Sequence, residues 1–204
     1  LYNRNPQAFD GFAVFARGVY NNIKAQYPDL PVMVSIALKS PDAAETSAFA
    51  SQFGRIAEYV DMIGISAYPY AFYSPEEGAS PDTLPANWLS QISGIAPNKP
   101  VAITETGWVA QDLLLPRFNI DVSSDDTTQR NYVERMLNEA QRLDARFVIW
   151  FTAVDCDALW STVLGRYDLP AIWRDTGLYD ETLRPRAALD EWQVWLDRPV
   201  STQE

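Results

Sequence analysis

The stretch Lys99-Pro100-Val101-Ala102-Ile103-Thr104-Glu105-Thr106-Gly107-Trp108 decides the fold. A short apolar run follows the Lys-Pro break, and such a run predicts a parallel strand that is buried on both faces. It ends at a carboxylate, Glu105, directly before a Gly-Trp turn. In parallel α/β folds the carboxyl ends of the strands face the crevice where ligands bind. Glu105 is therefore a candidate catalytic group, and the alternative is a solvated glutamate at the entrance of a loop.

The composition of this 204-residue chain excludes several classes of protein. The formal net charge of −11 argues against nucleic acid and anionic membrane surfaces as partners, since both require a basic face. Histidine is absent, which excludes Ser-His-Asp and Cys-His catalysis and leaves no zinc-ligand spacing, so we expect neither a metal nor a cofactor. The single cysteine, Cys156, excludes an intrachain disulfide. Acid–base chemistry therefore falls to carboxylates, Tyr, Lys or Cys.

Strands and helices are predicted to alternate along the whole chain. Apolar runs predict strands at 32–38, 60–67, 101–103 and 146–152, and helical spacing predicts helices at 5–27, 43–59, 87–95, 127–143 and 185–196. The segments 74–85, 109–126 and 155–184 are predicted to be loops or irregular structure. No glycine-rich phosphate loop follows a strand, which disfavours a nucleotide-binding sheet. We therefore predict an α/β fold, the C-terminal half (strands five to eight) of a TIM (β/α)8 barrel.

Four side chains follow the predicted strands and are expected at one face: Lys39, Tyr68, Glu105 and Trp150. Retaining glycoside hydrolysis uses two carboxylates about 5–5.5 Å apart, one as nucleophile and one as acid and then base. A tyrosine beside the nucleophile can hold its charge through a hydrogen bond. An indole ring packs well against the apolar face of a sugar. Glu105, Tyr68 and Trp150 on three successive strands match that requirement.

Four motifs occur in the order seen in retaining clan A glycoside hydrolases: Asp61-Met62-Ile63-Gly64-Ile65-Ser66-Ala67-Tyr68-Pro69-Tyr70, the stretch 99–108, Phe147-Val148-Ile149-Trp150-Phe151, and Thr176-Gly177-Leu178-Tyr179-Asp180 with Arg184-Pro185. The chain resembles the C-terminal half of that clan's barrel. The Tyr-Pro exit is similar to the arabinogalactan endo-galactanases, and Glu-Thr-Gly-Trp to the endo-β-1,3-glucanases. The resemblance implies a partial glycoside hydrolase domain over 1–204 with Glu105 as nucleophile, Tyr68 as its hydrogen-bonding partner and Trp150 as the sugar platform.

The chain departs from the clan in one respect that concerns the mechanism. The clan's acid/base glutamate follows an asparagine at the end of the fourth strand, and no Asn-Glu pair occurs at the start of this sequence. The segment Leu1-Tyr2-Asn3-Arg4 matches the loop beyond that position. The acid/base is thus expected outside the chain, in a missing barrel half of the full-length protein, and the isolated chain is expected to be inactive. The resemblance favours a secreted or periplasmic protein, although the chain contains no signal-like segment.

Five further residues are predicted to contact an oligo- or polysaccharide substrate: Trp108, Tyr70, Lys39, Asp155 and Trp160. Core packing is the alternative for Trp108 and Trp160, and loop capping is the alternative for Asp155. Cys156 has no basic partner nearby in sequence, so we interpret it as an inert thiol.

Two other functions fit the same residues. A non-catalytic carbohydrate-binding barrel would keep the cleft and lack the acid. A barrel enzyme of different chemistry, such as an aldolase, would need a desolvated strand-end lysine, for which Lys39 is the candidate.

Overall fold

The computed structural model describes residues 5–199, so the segment Leu1–Arg4 and its predicted match to a clan loop lie outside the described residues. The helices are α1 Pro6–Gln26, α2 Ala44–Phe53, α3 Pro69–Phe72, α4 Ile92–Ile95, α5 Asp126–Arg142, α6 Asp157–Thr162, α7 Asp168–Ala171 and α8 Ala187–Leu196. The strands are β1 Met33–Ala37, β2 Met62–Ala67, β3 Val101–Thr106, β4 Leu113–Leu115, β5 Ile120–Val122 and β6 Val148–Trp150.

The main sheet contains the four predicted strands in the order β1-β2-β3-β6. β1 and β2 pair in parallel. The hydrogen bonds from Arg146 N to Val101 O, 2.8 Å, and from Ile103 N to Phe147 O, 3.0 Å, advance in the same direction along both segments, as parallel pairing requires. The predicted α/β class with a parallel sheet is therefore confirmed.

Local sequence explains where the longest helix begins and why two strands of the sheet lie close together. Asn5 caps α1 by accepting a hydrogen bond of 3.0 Å from Ala8 N. Pro6 occupies the first turn, where the backbone N–H that proline lacks would have no partner within the helix. In the sheet, a Cβ at Gly64 would lie 2.7 Å from Thr104 Cγ2. Glycine at this position lets β2 and β3 approach closely, and Thr104 Oγ1 then donates to Ile65 O at 3.0 Å.

Several predicted boundaries are wrong. The helix predicted at 43–59 ends at Phe53, before Gly54, a residue of low helix propensity, and a short 3₁₀ turn, Ala57–Tyr59, follows. The helix predicted at 87–95 is regular only in α4. The segment 109–126 contains the antiparallel pair β4–β5, and the segment 155–184 contains α6 and α7. α5 begins at Asp126 rather than at 127, and Asp125 Oδ1 caps it by accepting from Thr128 N at 2.7 Å.

Two compact units divide the chain. Unit 1 comprises residues 5–67, 85–105 and 140–149 of the described range, and unit 2 comprises 68–84, 106–139 and 150–199. Unit 1 contains nearly all of the main sheet, and its buried residues include Ile63, Ile65 and Ile103. Unit 2 contains the β4–β5 pair and a core that includes Trp108 and Tyr132.

Large apolar side chains are exposed to solvent at β6, just before it and on α1. Ile149 of β6 is 49% exposed and Phe147, just before β6, is 39% exposed. Phe15 of α1 is 66% exposed. Among the described helices, none combines the length and the hydropathy needed to cross a membrane.

Candidate active site

Glu105 is half-buried and lies in unit 1, one residue before the end of β3, which extends to Thr106 rather than ending at 103 as predicted. Ser66, the penultimate residue of β2, donates a hydrogen bond from Oγ to Glu105 Oε2 at 3.2 Å. A neutral hydroxyl that donates to a carboxylate stabilises the charged form and restricts its rotation. Ser66 was missed by the sequence analysis, and the available signal was a polar residue inside the apolar run of β2.

Lys39 follows β1 in the same unit and is half-buried. Burial lowers the pKa of its ammonium group, and the nearby carboxylate of Glu45 partly opposes that shift. Lys39 also lines a cavity of about 250 Å³ whose other walls include Phe9, Phe12 and Phe49. The cavity beside Lys39 is thus largely apolar.

Tyr68 and Tyr70 belong to unit 2 and are buried, with 1% and 4% of their surface exposed. The two rings meet edge to face at 6.2 Å between centroids, and Tyr70 packs against Trp108 at 5.4 Å. The Tyr70 hydroxyl donates to Ile172 O at 2.7 Å. Trp108 is fully buried and packs against Tyr132 at 4.8 Å. The predicted substrate contacts Tyr70 and Trp108 therefore lie inside an aromatic core of unit 2.

Trp150 ends β6 and, unlike Trp108, is only half-buried. Its indole Nε1 donates to Thr176 O at 2.9 Å, which fixes the ring plane. The ring lies 6.1 Å from Tyr132 and 6.2 Å from Trp192. Trp150 is thus attached to the aromatic core of unit 2 and retains exposed ring surface, as a sugar platform requires.

Asp155 follows β6 in unit 2 and is buried. Its Oδ1 accepts from Gly177 N at 2.7 Å, and its Oδ2 accepts from the Arg186 guanidinium at 2.5 Å. Burial raises the pKa of Asp155 to about 6, although Arg186 and the Gly177 amide act in the opposite direction. A Cβ at Gly177 would lie 2.4 Å from both Asp155 N and Tyr179 O, so the strand-end loop needs glycine there.

Trp160 lies on α6 and is half-buried. Its Nε1 donates to Tyr167 O at 2.9 Å, and the Arg174 guanidinium lies 4.8 Å from the ring centroid. One face of the indole is therefore covered by a cation.

Three carboxylates that follow β6 in sequence, Asp155, Asp157 and Glu181, have oxygens within 4.8 Å of one another. Two arginines share them, because Arg186 binds Asp155 and Arg174 lies 3.5 Å from Asp157. These guanidinium groups supply positive charge where a cation would bind. That neither a metal nor a cofactor is required stays a prediction.

The structure gathers the predicted residues into two groups. Lys39, Glu105 and the unpredicted Ser66 lie in unit 1, and Tyr68, Tyr70, Trp108, Trp150, Asp155 and Trp160 lie in unit 2. That Glu105 is joined by Tyr68 and Trp150 in one site stays a prediction.

Comparison with protein-family models and with curated proteins finds no match to this chain. Solved structures do match. A β-1,3-glucanosyltransferase of Rhizomucor miehei is 16% identical with a TM-score of 0.57, over 90% of this chain and 57% of that one. An endo-laminarinase of Formosa is also 16% identical, with a TM-score of 0.59, over 90% of this chain and 52% of that one. A β-D-glucuronidase of Dictyoglomus thermophilum is 15% identical, with a TM-score of 0.62, over 93% of this chain and 30% of that one.

These likenesses define the class of fold. The chain has an α/β fold that corresponds to part of the (β/α)8 barrel of glycoside hydrolases, which confirms the predicted resemblance at the level of the fold. It spans between about a third and somewhat over half of the length of the proteins just named. At this identity the likeness carries no residue roles, so these come from the chain's own geometry.

Proposed function

We propose that the chain forms the nucleophile-bearing part of a retaining glycoside hydrolase. The observation that carries the proposal is the position of Glu105, a half-buried carboxylate at the carboxyl end of a parallel strand, with the Ser66 hydroxyl donating to it at 3.2 Å. In barrel enzymes that end of the strands supplies the catalytic groups. The shared fold with glycoside hydrolases supports the same function.

In the proposed mechanism Glu105 attacks the anomeric carbon and forms a covalent glycosyl ester. A second carboxyl group from outside this chain protonates the leaving oxygen, and its carboxylate then activates the water that hydrolyses the ester. Tyr68 hydrogen-bonds the nucleophile, and Trp150 stacks on the sugar beside the cleaved bond. Tyr70, Trp108, Lys39, Asp155 and Trp160 are the further residues assigned to substrate binding, with the burial described above as the argument against Tyr70, Trp108 and Asp155.

The substrate of the proposed enzyme is an oligo- or polysaccharide of plant or microbial origin, which favours a secreted or periplasmic protein. The exposed apolar side chains at the outer strand of the sheet, Phe147 and Ile149, support a partner for that edge. A barrel has no open edges, whereas an open sheet leaves backbone groups unpaired on its outer strands. The remaining barrel strands of the full-length protein are the proposed partner.

Labelling of the catalytic nucleophile tests this function in the full-length protein. A 2-fluoro glycoside with a good leaving group should form a stable ester on Glu105, which peptide mass spectrometry identifies. Glu105→Gln should lower kcat by about three orders of magnitude or more, because the amide cannot form the covalent ester. The melting temperature should be unchanged. The isolated chain 1–204 should show no hydrolysis. Labelling of another carboxylate would falsify the assignment.

Two alternative functions would give different experimental results. A non-catalytic carbohydrate-binding barrel is favoured if the full-length protein binds sugars, is not labelled and shows no hydrolysis. A Schiff-base enzyme is favoured by Lys39, since burial lowers the pKa of its ammonium group and so increases the fraction of free amine. Borohydride reduction in the presence of a carbonyl substrate would trap an adduct on Lys39 in that case, and a Lys39→Arg variant would not be trapped.

A further inference from the structure

Unit 2 contains a cavity of about 430 Å³ whose lining is almost entirely polar. Its walls are formed by Gln111, Asp126, Asp180, Glu181 and residues 184–186, and all of them belong to unit 2. None of the lining residues is among those that the sequence analysis assigned to a substrate. The cavity is within the size range of about 300–1,000 Å³ that small-molecule sites occupy.

One wall of the cavity is a turn that is held in a single conformation. Asp180 Oδ1 accepts from Thr182 N at 2.8 Å, from Thr182 Oγ1 at 2.7 Å and from Arg184 N at 3.0 Å. Asp180 Oδ2 accepts from Arg184 Nε at 2.9 Å. These bonds, led by the one from the Arg184 amide, hold the pKa of Asp180 well below its usual range. The wall is therefore pre-organised and its carboxylate is charged.

Arg186 also lines the cavity and is only 7% exposed. Its guanidinium bridges Asp126 and Asp155, each at 2.5 Å. Its Nε atom is buried and has no hydrogen-bond partner within residues 5–199. Buried donors without a partner are rare and costly in proteins. A rigid cationic group with one unused donor thus borders the cavity.

Two lining side chains are available to a ligand. Gln111 and Glu181 are exposed, and neither side chain makes a hydrogen bond or ion pair within the part of the chain that the structure describes. An amide offers two donors and an acceptor, and a carboxylate offers acceptors only. Arg184 adds the terminal nitrogens of a side chain that is 78% exposed and that uses its Nε for Asp180.

The charges and donors of the lining select the chemistry of the ligand. Asp126 and Asp180 are each paired with an arginine, so Glu181 leaves an excess of negative charge that disfavours anions. The scarcity of apolar lining disfavours hydrophobic ligands. The lining contains both donors and acceptors, and a molecule that both donates and accepts through several hydroxyl groups can satisfy them together.

We propose that this cavity is a carbohydrate-binding site of unit 2, in which Glu181 accepts from sugar hydroxyls while Gln111 and Arg184 donate to them. The choice of a carbohydrate, rather than another neutral polyol, rests on the proposed function. The site itself does not depend on Glu105, because every residue that forms it belongs to unit 2.

Two-dimensional NMR of the ¹⁵N-labelled protein carrying Glu105→Gln tests the site without turnover of the sugar. Laminaritriose and β-1,4-galactotriose are the probes, and at least one should shift the Gln111 side-chain amide and the backbone amides of residues 180–186. Glu181→Ala combined with Gln111→Ala should weaken this binding about tenfold or more, because a hydrogen bond to a charged group is lost with a neutral one. Glu134→Ala, an exposed carboxylate on α5, is the matched control and should leave the affinity unchanged.

The outcomes separate this proposal from the proposed function. If neither sugar shifts the cavity signals, or if the double variant binds as tightly as the control, the cavity proposal is wrong. Shifts produced by spermidine or Ca²⁺ and by neither sugar overturn it too, since the cavity then selects cations. If the sugar binds in the cavity while the protein with Glu105 intact neither hydrolyses nor forms an ester, the proposed function fails and the site stands.

Discussion

Glu105 and Asp155 are both carboxylates near the carboxyl end of a strand of the main sheet, yet their partners differ. Glu105 is half-buried and accepts from the neutral hydroxyl of Ser66. Asp155 is buried, and its two oxygens accept from a backbone amide and from the Arg186 guanidinium. Both oxygens of Asp155 are thus used within the protein, as in a structural carboxylate. Position at a strand end does not distinguish the two carboxylates, whereas the degree of burial does.

The largest effect on stability is expected when the Asp155 pair is broken. Arg186→Met leaves a buried carboxylate without its charge partner and should lower the free energy of unfolding at pH 7 by about 3–5 kcal/mol. Urea unfolding measures it. Arg130→Met is the matched control, because Arg130 is 48% exposed and lies 3.8 Å from Glu191, and it should cost less than about 1 kcal/mol. Equal effects of the two variants would show that Asp155 is not a buried structural charge.

The pH dependence of stability gives the second test. The ordinary pKa of an aspartate is 3.8, and that of Asp155 is raised by burial to about 6 in the folded chain. Between these values the folded state binds more protons than the unfolded state, so stability should fall as pH rises from about 4 to about 6, by at most about 3 kcal/mol. The pKa of Asp157 is raised as well, which adds to the same trend.

Asp155→Asn should flatten the pH dependence over that window, as measured by urea midpoints at several pH values. An unaltered slope in Asp155→Asn would remove Asp155 as its origin.

Part of the fold could be predicted from the sequence alone. The four strands of the main sheet were predictable because each is an apolar run bounded by turn residues, and Glu105 became a candidate from its place near the end of one of them. The strands β4 and β5 were not, because each has three residues and no repeating pattern can be detected over that length.

The partners of the site residues were beyond the sequence for another reason. Asp155 and Arg186 are 31 residues apart, and Ser66 and Glu105 are 39 apart. No local periodicity encodes such a pairing, since it depends on which strands and loops become neighbours in the folded sheet. The aromatic residues had a similar ambiguity, and only burial separates Trp108 from the half-buried Trp150.

A smaller effect is expected at Trp150 in the full-length protein. Trp150→Ala should weaken binding of the substrate or of an inhibitor by about tenfold, because ring stacking on the sugar is lost. Trp150→Phe keeps an aromatic face and should recover part of the affinity. Calorimetric titration and thermal melts are both needed. If the melting temperature collapses and the folded fraction binds normally, Trp150 belongs to the core and the platform assignment is wrong.

The smallest effect is expected at Ser66, which we assign as a positioning residue. Ser66→Ala removes one hydrogen bond of 3.2 Å and should lower the rate of ester formation on Glu105 about fivefold, with little change in KM. Ser66→Thr retains the hydroxyl and should restore the rate. Ser51→Ala, on the exposed side of α2, is the control and should behave as wild type. A loss that threonine does not rescue would point to packing instead.

Gly177 limits the substitutions that evolution can introduce into the loop beside Asp155. Any side chain there would place its first carbon 2.4 Å from the backbone of both Asp155 and Tyr179, and neither backbone atom can move as the tip of a flexible side chain can. Because the obstacle is backbone, a change of side chain at another position does not create room, and we expect selection to retain glycine at position 177.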